Sequence, residues 1–265
     1  MYMTYELAKR IEQSDLHVLH ARLSAIQERE GNPMGIHIRS YGEAVAFISA
    51  GIPGPSFNTV RGITSEHIEV LDEILAFYKE HDVSCQFEIA PTQLNNELAS
   101  ALHKKGYYQS SFHTALYGVP CPQQLVHNAL TIRKLEKDEF NQFASIYTKG
   151  FGMPDFTLEG VRQNNEILHG KEGWEVYVAC LEEQPVSIGV MYVANNIATL
   201  AASATLPDYQ RKGAHQLLLR KRIDHAYTLG CDLVVAQASF GSISQQNMQR
   251  VGLEVAYTKG IWRRV

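Results

Sequence analysis

The chain of 265 residues predicts an α/β fold on a mixed sheet (α+β in its strand order), built as two similar halves. Three observations predict this. Apolar runs of strand length alternate with segments of helical period in both halves. The order of those segments repeats. Cys85 and Cys231 lie 146 residues apart, as do Gly106 and Gly252, and a fixed spacing with a fixed order points to duplication. Finally, a basic turn, Leu206-Pro207-Asp208-Tyr209-Gln210-Arg211-Lys212-Gly213-Ala214-His215, joins a strand-like run to a helix-like one.

The elements follow in order. In the first half a helix is expected over Ser65–His81, a strand over Ser84–Ile89, a helix around Gln93–Lys104 and a strand over Phe112–Tyr117. Two prolines in Gly118-Val119-Pro120-Cys121-Pro122-Gln123-Gln124 then break regular structure. A boundary there gives two domains, 1–128 and 129–265. The second half opens with a strand over Ala129–Arg133. Helices follow at about Lys137–Lys149 and Leu158–Leu168. Strands are expected at Trp174–Leu181, Val186–Val193 and Ile197–Thr205. A helix from Gln216 to about Leu229, a strand over Cys231–Ala236, a helix near Ser244–Val251 and closing strands after Leu253 complete the chain.

Composition narrows the class. The formal net charge of −4 lacks the basic face of a nucleic-acid binder, so no nucleic-acid partner is expected. There is no apolar run of about 18 residues, so no membrane partner is expected. Met1–Leu7 does not read as a signal peptide. Cys85, Cys121, Cys180 and Cys231 are scattered without paired ligand spacing, so no metal site is expected. Cys85, Cys180 and Cys231 read as small core residues. A reducing, cytoplasmic setting fits them.

The basic turn carries the chemistry. A helix N-terminus offers unpaired backbone N–H groups and a partial positive charge. Arg211 and Lys212 add formal charge there, and Gly213 lets a bulky anion approach the backbone. The 146-residue offset maps this turn onto Thr64–Ile68. There both cations and the glycine are missing, Glu66 is present, and Thr64 or Ser65 can cap the helix instead. The first half is therefore expected to have lost the phosphate site.

Pro207-Asp208-Tyr209-Gln210, two residues, then Gly213 after a strand resembles motif A of the GNAT superfamily of acyl-CoA-dependent N-acyltransferases. Ser242–Leu253 resembles its motif B. The resemblance covers residues from about 129 to 265, and the whole chain is similar to a tandem two-domain GNAT protein with a degenerate N-terminal copy. It implies acetyl transfer from acetyl-CoA to a small-molecule or peptide primary amine. It also implies that the amides of Arg211 to Gln216, with Gln210, Lys212, Gly213, Ala214 and His215 in the loop, hold the pyrophosphate. Ser203, Ala204 and Thr205 would pair with the pantetheine arm as an added strand does. A homodimer is left open, and a non-catalytic acyl-CoA-binding regulatory module is the alternative.

The sequence departs from the family pattern in two places. His215 stands at the second Gly or Ala, and Met248 stands where many members place a proton-donating tyrosine. The candidates for catalysis are Tyr257 and Ser244, with Ser239 and Asp155 also considered. Tyr257 also reads as a packed strand aromatic and Ser244 as a helix cap. Phe151 and Asp155, in the loop Phe151–Phe156, are the candidates for the acceptor side; both phenylalanines also read as core anchors. Arg220, Lys221 and Arg222 read as a solvated basic face, opposite Leu219, Ile223 and Ala226.

Overall fold

A computed structural model describes residues 2–125 and 129–264. Its elements in chain order are α1 (Tyr5–Gln27), β1 (Ile36–Tyr41), β2 (Ala44–Ser49), β3 (Thr59–Arg61), α2 (Leu71–Glu80), β4 (Gln86–Ile89), α3 (Asn96–Lys104) and β5 (Tyr107–Gly118). They continue with β6 (Leu130–Lys134), α4 (Phe140–Phe151), α5 (Leu158–Glu166), β7 (Trp174–Leu181), β8 (Gln184–Ala194), β9 (Ile197–Thr205), α6 (Ala214–Thr228), β10 (Leu233–Ser239), α7 (Ile243–Arg250) and β11 (Glu254–Arg264). The chain divides into two compact units.

The first unit holds residues up to Ala115, with Ala238–Phe240 and the C-terminal stretch from Ala256. Its strands run in the order β1-β2-β3-β4-β11-β5. β1 and β2 are antiparallel, β3 and β4 parallel, and β11 lies antiparallel to β4 with Gly260 opposite Ile89. The core joins Ile48, Val60, Ile74, Phe77, Phe87, Leu98 and Trp262. The last strand of the chain thus completes the unit that begins the chain. Sequence order alone placed all of 129–265 together, and the 128/129 boundary falls at Asn128, outside the described residues.

No element was expected before Ser65, yet α1 and three strands form there. The reason lies in what they bury. The inward face of α1 includes Glu12, Ser14 and Asp15, which break the apolar 3.6-residue period. β2 is buried at all of its positions, so it shows no alternation to mark it as a strand. The acids of α1 join an ionic cluster inside this unit. Asp15 pairs with Arg61, and Lys259 reaches Asp15 at 2.5 Å and Glu88 at 3.1 Å. Burial pushes the Asp15 carboxyl up, but Arg61 and Lys259 outweigh it and hold it at about 2.

The second unit comprises Leu116–Gln237 and Gly241–Val255, with strands in the order β10-β9-β8-β7-β6. All neighbours are antiparallel except β9 and β10, which are parallel. Helices α4 and α6 pack on β8 and β9, and Tyr177, Val186, Leu217 and Leu218 are buried in its core. The expected strands Trp174–Leu181 and Ile197–Thr205 form with those bounds. Cys85, Cys180 and Cys231 are buried free thiols.

The two halves keep their common element order. An offset of 146 residues carries α2, β4, α3 and β5 onto α6, β10, α7 and β11 to within a few residues.

Candidate functional site

The site is built on β9 in the second unit. Its pairing with β10 covers Ile197 to Leu200 and stops. Beyond that point Ala202–Thr205 keeps its β8 partners, across a bulge in which Ala202 faces Val190 and Leu200 faces Met191. Ala201 is the extra residue, and a bulge of this kind bends its strand. The edge of β9 toward β10 is therefore open over the stretch that reaches the basic turn.

That turn is shaped for an anion. Arg211 adopts a left-handed conformation, φ 63°. Gly213 follows at φ 86° as the N-cap of α6, and no side chain caps the helix. The first-turn N–H groups thus remain for a ligand or water. Side chains cap α1, α3 and α7, through Thr4, Asn95 and Ser242, whereas α2, α4 and α5, like α6, have none. The counterpart turn in the first unit closes on itself: the Thr64 N–H donates to His67 Nδ1 at 3.2 Å. The second unit, unlike the first, thus presents uncapped first-turn donors beside a cationic turn, the chemistry a phosphate-bearing cofactor needs.

A cleft of about 570 Å³ joins these parts. Ser203, Ala204, Thr205, Gln210, Arg211, Gly213, Ala214, His215 and Gln216 line it, as do Ser244 and Phe151. Of the expected cofactor residues only Lys212 is absent from the lining; its ammonium lies 4.8 Å from the centre of the Tyr209 ring. Asp155 is exposed in the short turn Asp155–Thr157 and does not line the cleft. Tyr257 is not brought there. It belongs to the first unit, where its hydroxyl donates to Glu12 at 2.5 Å. Burial first, and then Glu12, push its phenol pKa up. Met248, at the position where the family often has tyrosine, is buried.

Two residues of α7 that the sequence reading left out of the site belong to it. Asn247 and Arg250 both line the cleft. The Asn247 amide accepts from Gln216 at 3.1 Å and from Arg250 at 2.9 Å, and pairs with His215 Nδ1 at 3.1 Å. One side chain therefore ties α7 to the first turn of α6. Two donors at its oxygen fix its nitrogen toward His215, so His215 accepts at Nδ1 and carries its proton on Nε2. That Nε2 is buried without a partner among the described residues. Burial, with Arg222 adding to it, lowers the His215 pKa to about 4, so the ring is neutral at pH 7.

Arg222 corrects the expected solvated basic face. It is 1% exposed. Leu218, Arg222 and Ala226 recur every four residues, and both flanking members are fully buried; that spacing was the available signal.

In the second unit, a mixed sheet whose single parallel pair, β9 and β10, parts beside an uncapped helix N-terminus and a cationic turn offers a geometry suited to an anionic ligand. Residues 134–250 match the model of the acetyltransferase (GNAT) family and form a GNAT domain. No curated protein matches the chain well enough to count as a relative. Among solved structures, the chain resembles a GCN5-related N-acetyltransferase from Kribbella flavida at 14% identity and a TM-score of 0.66, covering 94% of each chain. It also resembles a tandem GNAT protein from the clavulanic acid biosynthesis pathway, at 12% identity and a TM-score of 0.62, covering 95% of this chain and 93% of the other. A GCN5-related N-acetyltransferase from Sphaerobacter thermophilus matches at 13% identity and a TM-score of 0.61, covering 91% and 84%. At these identities the likeness speaks for the fold, which is that of GNAT proteins, tandem ones included. The family match supports an acyltransferase. No helix among the described residues is long and apolar enough to cross a membrane.

Proposed function

We propose that the second unit is an acetyl-CoA-dependent N-acetyltransferase acting on a small-molecule or peptide primary amine. One observation carries this reading: the open edge of β9 and the uncapped, cationic start of α6 line a single cleft. The amides of the α6 first turn, with Arg211 and Arg250, receive the pyrophosphate. The Ala201–Thr205 edge takes the amides of the pantetheine arm. Acetyl-CoA supplies the activated acyl group. The amine lone pair attacks the thioester carbonyl carbon, the C–N bond forms, and the C–S bond breaks with its electron pair leaving on sulfur. The amine sheds its proton to water and the thiolate takes one up. Holding amine and thioester together supplies much of the rate. Exposed Phe151 and Ile243 border the same cleft and offer apolar contact to the acceptor. Ser244 remains the candidate polar group beside it.

A second reading is a non-catalytic acyl-CoA-binding module, favoured by the buried Met248 at the tyrosine position. Calorimetric titration with acetyl-CoA, followed by thiol release across an amine panel, tests both. The enzyme reading expects binding and amine-dependent thiol release; binding without release selects the module. Absence of binding refutes both.

A further inference from the structure

Arg222 is an unusual buried cation. All four of its hydrogen bonds go to neutral oxygens. Nε donates to the Leu218 carbonyl at 3.1 Å, Nη1 to the Val190 and Ala202 carbonyls at 2.9 and 3.1 Å, and Nη2 to Ser203 Oγ at 2.5 Å. No carboxylate pairs with it among the described residues. A guanidinium of this kind is costly to bury, and the fold makes room for it. A Cβ at Gly189 would stand 3.1 Å from its Cζ.

Its acceptors locate its action. Val190 and Ala202 are the paired residues next to the bulge, and Ser203 is the first cleft-lining residue of β9. The next carbonyl, Ala204, is held by the Ser187 hydroxyl at 2.8 Å. Opposite, α4 closes on the same stretch at Gly150, where a Cβ would meet Ala204 Cβ at 2.9 Å and the Thr205 carbonyl oxygen at 3.0 Å. The segment with no β10 partner is thus fixed from α6, β8 and α4.

We infer that Arg222 is a positioning residue for the acyl-carrying arm of the cofactor: it satisfies the carbonyls freed at the β9 bulge and holds Ser203, so that the open edge of β9 keeps the shape an added strand needs. The inference rests on the acyl-CoA reading of the cleft. Arg222 does not line the cleft and touches neither the cofactor nor the acceptor. Burial lowers its pKa to about 10, so it stays charged at neutral pH and sets a positive potential beneath Ser203.

The test separates the two halves of the cofactor. Adenosine bisphosphate probes the phosphate cradle alone, and acetyl-CoA probes cradle and strand edge together. In Arg222→Met, acetyl-CoA binding measured by calorimetry is expected to weaken about tenfold, with adenosine bisphosphate binding unchanged within about twofold. Equal weakening of both ligands means a general structural role and overturns the inference. Unchanged acetyl-CoA affinity overturns it too. Ser203→Ala removes one acceptor at a half-buried position and serves if Arg222→Met does not fold. It is expected to weaken acetyl-CoA selectively by about threefold, and no change overturns the inference. If the wild type binds neither ligand, the acyl-CoA reading itself fails, a result distinct from all of these.

Discussion

Gly150→Ala and Gly160→Ala should move stability in opposite directions, although both glycines lie in helices of the second unit. At Gly160 in α5 an added Cβ meets nothing within 4 Å. Alanine there removes the entropy cost of a helical glycine and should stabilise by about 0.5–1 kcal/mol. At Gly150 in α4 the new Cβ would lie 2.9 Å from Ala204 Cβ, 3.0 Å from the Thr205 oxygen and 3.1 Å from its nitrogen. Two of these are backbone atoms, and β9 cannot retreat while Arg222 and Ser187 hold the Ala202 and Ala204 carbonyls. Overpacking of this kind costs about 1–3 kcal/mol. Less the helical gain, a net loss of roughly 0–2.5 kcal/mol, centred near 1, is expected. Urea unfolding followed by circular dichroism reads both variants against the wild type, through the midpoint at constant slope. Acetyl-CoA titration should show several-fold weaker binding for Gly150→Ala only. Equal stabilisation by both substitutions, with binding unchanged, refutes the idea that α4 clamps β9.

Three further outcomes are expected. Gly213→Glu puts a carboxylate at the uncapped start of α6 and should weaken acetyl-CoA by at least about tenfold; calorimetry retaining wild-type affinity contradicts the cradle. His215 has a folded-state pKa of about 4, below the unfolded value near 6.5, so its contribution is full above pH 6.5 and is lost as pH falls toward 4, by up to about 3 kcal/mol. His215→Gln should remove that part of the stability loss, seen as a flatter melting profile than the wild type across this window. Tyr257→Phe deletes the bond to Glu12 and should cost about 1 kcal/mol while leaving acetyl-CoA binding and amine-dependent thiol release intact; loss of release in a folded variant would restore Tyr257 as a catalytic group.

Much of the second unit was legible in the sequence because its segments report their own surroundings. β7 and β9 are bounded by turn residues, and the turn before α6 has few other uses for two cations beside a glycine. Thr64–Ile68 was equally readable as a self-capped turn. Lys212 was not, since nothing in its neighbours says that its ammonium will stack on Tyr209. Nor was α1, whose buried Glu12 and Asp15 imitate a solvated face until Arg61 and Lys259 come from distant strands to pair with them.

The sequence by itself determined the element order from Ser65 on, the duplication and the strand–turn–helix position of the proposed cradle, because local periodicity, turn chemistry and spacing are properties of neighbours along the chain. Only the tertiary structure decided that β11 completes the first unit, that Tyr257 is committed to Glu12, and that Arg222 is buried beneath β9. Each of these depends on which partner satisfies a hydrogen bond or a charge, and those partners lie tens to hundreds of residues away, where no local pattern records them.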